Sequence, residues 1–117
     1  MLSFAGSIKK IENAESIGNK VIEIISKKDN TVVKIELPEK ILFFDNQTKE
    51  DINIIIENEE IKNKDLKIIM RGKIYSIKKK EDPNVIQVSF GGLPLRLELK
   101  PELNKFKLRS DFWIGMY

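Results

Sequence analysis

The sequence predicts an all-β fold, a small closed antiparallel barrel of about eight short strands. Apolar residues recur with a period of two along most of the chain; from Thr31 to Leu37, every second residue is Thr, Val, Ile or Leu. Turn signals separate these stretches, and no stretch carries an apolar stripe with the 3.6-residue period of a helix. Because closure removes exposed strand edges, many short strands joined by tight turns in 117 residues favour a barrel.

The first half of the chain is expected to supply four strands. In order, they are Leu2 to Ile11, Lys20 to Ser26, Thr31 to Leu37 and Asp51 to Glu57. Between the second and the third, Lys27 to Asn30 is polar and ends in Asp and Asn, which adopt turn conformations, so this pair is predicted to form a hairpin. Pro38 to Phe44 has room for one helical turn.

The second half is expected to supply four more strands. They are Leu66 to Lys78, Val85 to Phe90, Leu93 to Leu99 and Phe112 to Tyr117. Gly72 interrupts the first of them and predicts a bulge or a sharp bend. Glu81 to Asn84, which contains Asp-Pro, and the Gly91-Gly92 pair predict turns, and Pro101 to Leu108 has room for one helical turn.

Missing residue types exclude most catalytic chemistry. The chain forms one predicted domain, 1–117, and contains no Cys and no His, so it lacks thiolate nucleophiles, disulfides and the commonest general base and metal ligand. The acidic residues Glu57, Glu59 and Glu60 follow a strand and are interpreted as a solvated loop. The sequence therefore predicts a protein with no catalytic residue, no cofactor and no metal.

The charge pattern indicates a soluble, cytoplasmic protein. Lys and Arg number 21 against 18 Asp and Glu, and no apolar run approaches the roughly 18 residues that a membrane span requires. Lys9 and Lys10 follow the first apolar residues, the reverse of a signal peptide. Only three of the cations are Arg, which disfavours sequence-specific reading of DNA.

Two surfaces are candidate binding sites. One face of the fifth strand combines cations with an aromatic ring, as single-strand nucleic-acid binders do, and is followed by the run Lys78 to Lys80; its members are Lys67, Arg71, Lys73 and Tyr75. The other surface is at the last strand, where the alternation directs Trp113 and Tyr117 outward as partner anchors, unless this strand only closes the barrel. The hairpin from Lys20 to Leu37 carries no aromatic residue and offers no stacking platform.

One part of the sequence is similar to a known family. Met70-Arg-Gly-Lys-Ile-Tyr75 is followed, after a charged turn, by Val88-Ser-Phe-Gly-Gly-Leu-Pro-Leu-Arg-Leu-Glu98. This resembles the small barrel subunit of DNA-directed RNA polymerase, the eighth subunit of the eukaryotic enzymes and its archaeal counterpart, also called subunit 8. The family more often has an aliphatic residue where Pro94 stands. The short stretch between Ile56 and Leu66 resembles the archaeal form.

The resemblance implies an oligonucleotide-binding-like barrel that docks on the largest polymerase subunit near its pore and funnel and contributes no catalytic residue. By motif match, the residues at or directly supporting the partner surface are Phe90, Gly91, Gly92, Leu93, Leu95 and Arg96. Docking is expected to use strand edges and apolar anchors, with Arg96 as a donor to a carboxylate or carbonyl. The alternative is a free-standing binder of single-stranded nucleic acid that uses the face of the fifth strand.

Overall fold

A computed structural model describes residues 2–43, 51–62, 65–79 and 82–117 of the chain. Eight β-strands and two single-turn 3-10 helices account for its regular structure. The strands are β1 (Leu2–Asn13), β2 (Asn19–Ser26), β3 (Val32–Pro38), β4 (Asp51–Glu57), β5 (Ile68–Lys78), β6 (Asn84–Phe90), β7 (Leu93–Leu99) and β8 (Asp111–Met116). The helical turns, Glu39–Ile41 and Pro101–Leu103, lie within the two segments predicted to hold them.

The strands close into a single antiparallel barrel in the order β1-β2-β3-β7-β6-β5-β8-β4, and β4 pairs with β1 to complete the ring. The predicted fold class is confirmed. Most strands lie beside a strand that is next to them in the chain, but β8 inserts between β4 and β5. The connection from β4 to β5 therefore has to cross the last strand of the chain.

Alternate residues of the strands separate cleanly into an inner and an outer face. Thr31, Val33, Ile35 and Leu37, the members of the period-two pattern, are all buried. The same alternation holds in β8, where Phe112, Ile114 and Met116 face inward with no exposed surface. Phe112 packs against Phe90 and Phe106, with ring centroids 6.0 Å and 5.5 Å away. The interior is a dry, mostly aliphatic core that leaves binding to the outer face.

The irregularity predicted at Gly72 lies three residues farther along β5. Gly72 itself pairs regularly with Phe112, and the β5–β6 register shifts between Ile74 and Ser76, so the bulge is at Tyr75. Gly72 is needed for a different reason: a Cβ there would lie 2.6 Å from the carbonyl oxygen of Ser89. No side chain fits in that space, because β6 approaches β5 too closely.

The β5–β6 turn is only partly within the described residues. Lys80 and Glu81, members of the predicted cationic run and of the predicted turn, lie outside them, whereas the Asp82–Pro83 peptide bond is cis and leads directly into β6. Within the described residues, no helix is long and apolar enough to cross a membrane.

Candidate partner-binding surface

The β6–β7 hairpin carries the six residues selected by the family motif. Gly91 and Gly92 form its two-residue turn with φ values of 61° and 100°, a conformation that residues with side chains rarely adopt. The Gly92 N–H donates a hydrogen bond to the Ser89 hydroxyl oxygen at 3.1 Å, which fixes the turn. Both glycines are exposed, and Leu93 is half-buried beside them. The motif therefore builds a rigid, protruding turn at one end of the barrel.

Two of the six motif residues lie inside the barrel. Phe90 is 8% exposed and Leu95 is 1% exposed, so neither side chain is available to a partner. Phe90 packs edge-on against Phe112 of β8. These two residues can support a surface only from beneath, by holding the positions of their outward-facing neighbours on β6 and β7.

Arg96 is on the outer face of β7 and lines an apolar groove. Its guanidinium Nε donates to Glu98 at 3.1 Å, and about half of its side chain remains exposed. The groove has a volume of about 190 Å³. We call it the seam groove; it is lined by Val21, Lys34, Ile35, Glu36, Tyr75, Gln87, Pro94, Leu95 and Arg96. The structure thus brings Arg96 and Tyr75, which the sequence assigned to two separate sites, to one cavity.

The seam groove lies where the hydrogen-bond ladder between β3 and β7 stops. The last pairs are Lys34 with Arg96 and Ile35 with Leu95, so the next pair along the strands, Glu36 with Pro94, does not form. Pro94 has no N–H with which to continue the ladder. The departure from the family pattern at Pro94 therefore coincides with a local opening in the barrel wall.

The backbone of Glu36 faces this opening. At the two ends of the β2–β3 ladder, the Ser26 N–H donates to the Thr31 carbonyl and the Glu39 N–H donates to the Gly18 carbonyl, each at 2.8 Å. Because ladder bonds recur at every second residue, the odd-numbered residues of β3 bond to β2, and Lys34 and Glu36 direct their backbone groups toward β7. The expected free strand edges are wrong for a barrel closed on all sides, and this short opening is the exception.

Trp113 and Tyr117 face outward, as the alternation predicted, but they do not form a continuous surface. Trp113 is half-buried, and the Arg71 guanidinium lies 5.8 Å from the centre of its ring. Tyr117 is 44% exposed and extends the β4–β8 ladder by exchanging backbone hydrogen bonds with Asn53. Between them is Gly115, where a Cβ would lie 2.5 Å from Leu66 Cδ1. The β4–β5 connection thus covers the middle of β8.

The cationic face of β5 is exposed as predicted, and two of its four members are engaged. Lys67, Arg71, Lys73 and Tyr75 all lie on the outer face. Lys73 Nζ is 2.5 Å from Asp111 Oδ1, and the hydrogen bond that it donates is the main cause of a lowered pKa at Asp111. Limited desolvation acts against that shift in pKa, whereas the charges of Lys73 and Arg71 add to it. Tyr75 is 54% exposed and projects from the bulge.

Sequence reasoning missed a turn that packs beside Tyr75. Residues 107–110 connect β7 to β8 and are held on β5 by two backbone hydrogen bonds, from Arg109 to Ile74 at 2.8 Å and from Ile74 to Ser110 at 3.1 Å. Leu108 is 54% exposed, and Arg109 has a φ of 66°. With Lys73, Ile74 and Tyr75 they line a second cavity of about 460 Å³, the Tyr75 pocket. The segment has no apolar period, and Arg is an uncommon choice for a left-handed position, so nothing local signalled it.

Comparisons with known proteins decide the family. A model of the RpbG family of DNA-directed RNA polymerase subunits matches residues 1–112. The chain belongs to this family. The resemblance noted over Met70 to Glu98 is therefore confirmed, and the match extends through β1 to β7 and the start of β8.

Two other comparisons add no functional information. No curated protein matches the chain. Among solved structures, the cytoplasmic molybdate-binding protein ModG, in a crystal form with molybdate bound, is similar with a TM-score of 0.43 and 10% sequence identity, covering 97% of this chain and 88% of that chain. Within the described residues of the present chain, no group of acidic side chains is arranged to hold a metal ion.

Proposed function

We propose that this protein is a non-catalytic accessory subunit of an archaeal DNA-directed RNA polymerase that docks on the largest subunit near its pore and funnel and supports assembly. The observation that carries the proposal is the family match, which covers residues 1–112. A closed, dry-cored barrel with its functional groups on the outside suits such a role, since a rigid subunit loses little conformational freedom on docking.

The docking surface is proposed to centre on the outer side of β7. Arg96, Pro94 and the exposed Gly91-Gly92 turn lie on one side of the seam groove, and the groove gives an apolar side chain of the partner a place to enter. Aromatic residues and Arg are the usual anchors of protein interfaces. Trp113 and Tyr117 provide a second contact region on β8, around the barrel from the seam.

Affinity purification tests the proposal. The full chain, tagged and expressed in its own cells, is recovered in about 0.5 M salt, where contacts that rest mainly on phosphate neutralisation are lost. We expect the large polymerase subunits at equal stoichiometry. Recovery of the barrel without them would contradict the proposal.

A variant pair then locates the surface. Arg96→Ala is expected to reduce recovery of the polymerase while leaving the urea unfolding midpoint of the isolated chain within the error of the measurement. Lys10→Ala is the matched control, because Lys10 is an exposed strand cation paired with Glu12 at 3.9 Å, as Arg96 is paired with Glu98. If Arg96→Ala unfolds the chain, the residue supports the fold and its assignment to the interface is wrong.

The second candidate function is that of a free-standing binder of single-stranded nucleic acid. The exposed ring of Tyr75, with Lys67 and Lys73 on the same face, is the observation that favours it. Such binding falls steeply as salt rises. Association with a labelled oligonucleotide that disappears between about 0.05 and 0.2 M salt, together with no polymerase in the purification, would support this candidate instead.

A further inference from the structure

We infer that the seam groove and the Tyr75 pocket together bind one extended polypeptide segment of the polymerase, whose apolar side chain enters the groove and whose carboxylate pairs with Arg109. The inference rests on the proposed function, because the segment is taken to belong to the complex in which this subunit assembles. It adds Leu108, Arg109 and the backbone of Glu36 to the docking surface.

The two cavities form one path across the outer face. Tyr75 lines both of them, with Arg96 and Pro94 on one side of its ring and Leu108 and Arg109 on the other. The bulge in β5 places Tyr75 outside the regular ladder, with 54% of the residue exposed. A segment that leaves the groove therefore passes over Tyr75 before it reaches Arg109.

The groove end offers what an extended backbone needs. The backbone groups of Glu36 are directed toward β7, and the ladder to β7 has ended one residue earlier. A short strand added at this point makes main-chain hydrogen bonds with Glu36, and alternate side chains then point into the groove. With a volume of about 190 Å³ and apolar walls from Val21, Ile35 and Pro94, the groove suits an apolar side chain.

The pocket end offers a charge without a partner. Among the described residues, Arg109 and Lys34 form no ion pair, whereas Lys73 is paired with Asp111 and Arg96 with Glu98. Residues 65–117 contain 11 Lys and Arg against 6 Asp and Glu, and residues 1–64 contain 10 against 12, so the positive excess of the chain is in this half. An acidic residue in the segment complements this charge.

The conformation of Arg109 gives an independent reason to assign it a role. A φ of 66° is unfavourable for a residue with a Cβ, and glycine is the residue that adopts it without cost. The turn that holds Arg109 is bonded to β5 through Ile74, so its geometry is imposed by the fold. Strain of this kind concentrates at binding sites, and here it places a cation beside Tyr75.

The same surroundings favour a polypeptide over a nucleic acid. Carboxylates stand at both ends of the path: Glu36 in the groove, held by Asn19 at 2.9 Å, and Asp111 beside Lys73. They repel the continuous phosphates of a nucleic-acid strand, whereas a peptide presents one carboxylate next to apolar residues. Leu108, exposed at the rim of the pocket, also suits an apolar neighbour more than a phosphate.

Docking measurements on Arg109 variants test the inference. The probe is polymerase purified without this subunit, titrated with the full-length barrel in wild-type and variant forms. We expect Arg109→Gly to weaken docking by about 10-fold and Arg109→Lys to restore most of it, since Lys keeps the charge. Arg109→Gly should leave the urea unfolding midpoint unchanged or raise it, because glycine relieves the left-handed strain.

Asn30→Gly is the matched control. Asn30 is the other described non-glycine residue with a positive φ, 55°, and it lies in the β2–β3 turn of the first half, so its replacement should leave docking unchanged. If wild-type protein docks and both Arg109→Gly and Tyr75→Ala dock equally well, the inference is wrong and the proposed function stands. If the wild-type barrel does not dock at all, the proposed function fails first.

Cross-linking identifies the occupant. A photoreactive amino acid at position 108, in the assembled polymerase, is expected to cross-link to an acidic, extended stretch of a polymerase polypeptide. Amide exchange at Glu36 should slow on assembly as the added strand forms. A cross-link to DNA or RNA, or unchanged exchange at Glu36, would overturn the inference.

Discussion

The outer faces of the two halves of the barrel differ, although both halves wall the same core. On β1 to β4, charged side chains satisfy one another: Lys10 pairs with Glu12 and Lys27 with Asp51. The large exposed hydrophobic residues of that half, as far as the structure describes it, are at loops and the helical turn: Ile17, Ile41 and Phe43. On β5 to β8 and their connections, Ile69, Tyr75, Leu108 and Tyr117 are exposed among unpaired or aromatic-bound cations.

The difference teaches where function is to be sought in a fold that has no catalytic cleft. A charged surface that satisfies itself gains little from a partner, because exposed ion pairs contribute little energy and are already well solvated. A surface with exposed rings, a gap in a strand ladder and a strained arginine stabilises the free protein poorly and gains from being covered. The second half has all three features.

The largest effect is expected in the shared core. Phe112→Ala removes a fully buried ring of β8 and should lower the free energy of unfolding by about 3–5 kcal/mol. Urea unfolding followed by Trp113 fluorescence reports the second half, and amide exchange in β1 to β3 reports the first. If exchange in β1 to β3 stays slow while the fluorescence transition moves, the two halves are separate cooperative units and share no common core.

The next effect concerns the close approach of strands. Gly72→Ala places a Cβ 2.6 Å from the Ser89 carbonyl oxygen, and backbone atoms cannot move aside cheaply, so a loss of about 2–3 kcal/mol in unfolding free energy is expected. Gly6→Ala is the first-half control, because its Cβ meets the end of the Ile24 side chain at 2.6 Å. Equal urea midpoints for the two variants would contradict this reasoning.

A smaller effect separates docking from folding. Trp113→Ala removes the half-buried ring that lies beneath Arg71, and we expect polymerase docking to weaken by about 10-fold or more with a limited change in stability. Ile25→Ala provides a control from β2, since Ile25 is also outward-facing and half-buried. Competition binding against labelled wild-type barrel measures both. Weaker docking by Ile25→Ala would show that the first half contributes to the interface.

The smallest effect is a pH dependence. Because the pKa of Asp111 is lowered in the folded state, its carboxylate stabilises the fold above its unfolded pKa of about 3.9, and this contribution is lost as the pH falls through the lower folded value. Asp111→Asn should be slightly less stable than wild type at pH 7, and the two should converge near pH 2. Urea midpoints at the two pH values test this; a constant difference would assign the effect to something other than titration.

The sequence predicted the strands and their faces because both follow from a local period of two. The inward positions of Ile35 and Phe112 and the turn at Gly91 needed no knowledge of distant residues. The insertion of β8 between β4 and β5 depends on pairings far apart in the chain, and the period is silent about them. Gly72 shows the same limit: the interruption was visible, but only the neighbouring strand explains it.

The binding surface was predicted less completely than the fold. Arg96, Trp113 and Tyr75 were identified as candidate side chains, but their grouping depends on the strand order, which places Tyr75 beside Arg96 and Arg71 beside Trp113. Leu108 and Arg109 were missed, because their position is set by hydrogen bonds from a loop to β5 and no residue pattern encodes it. The opening at Glu36 required the register of three strands.

The position of β8 between β4 and β5 has a consequence for how the chain is made. Synthesis delivers β4 and β5 well before β8, and each then has an unsatisfied edge until residues 111–116 emerge. Closure thus depends on contacts between remote parts of the sequence, which form slowly. We expect nascent chains to need protection from aggregation until the final strand is released, and incorporation into a larger complex to follow that step.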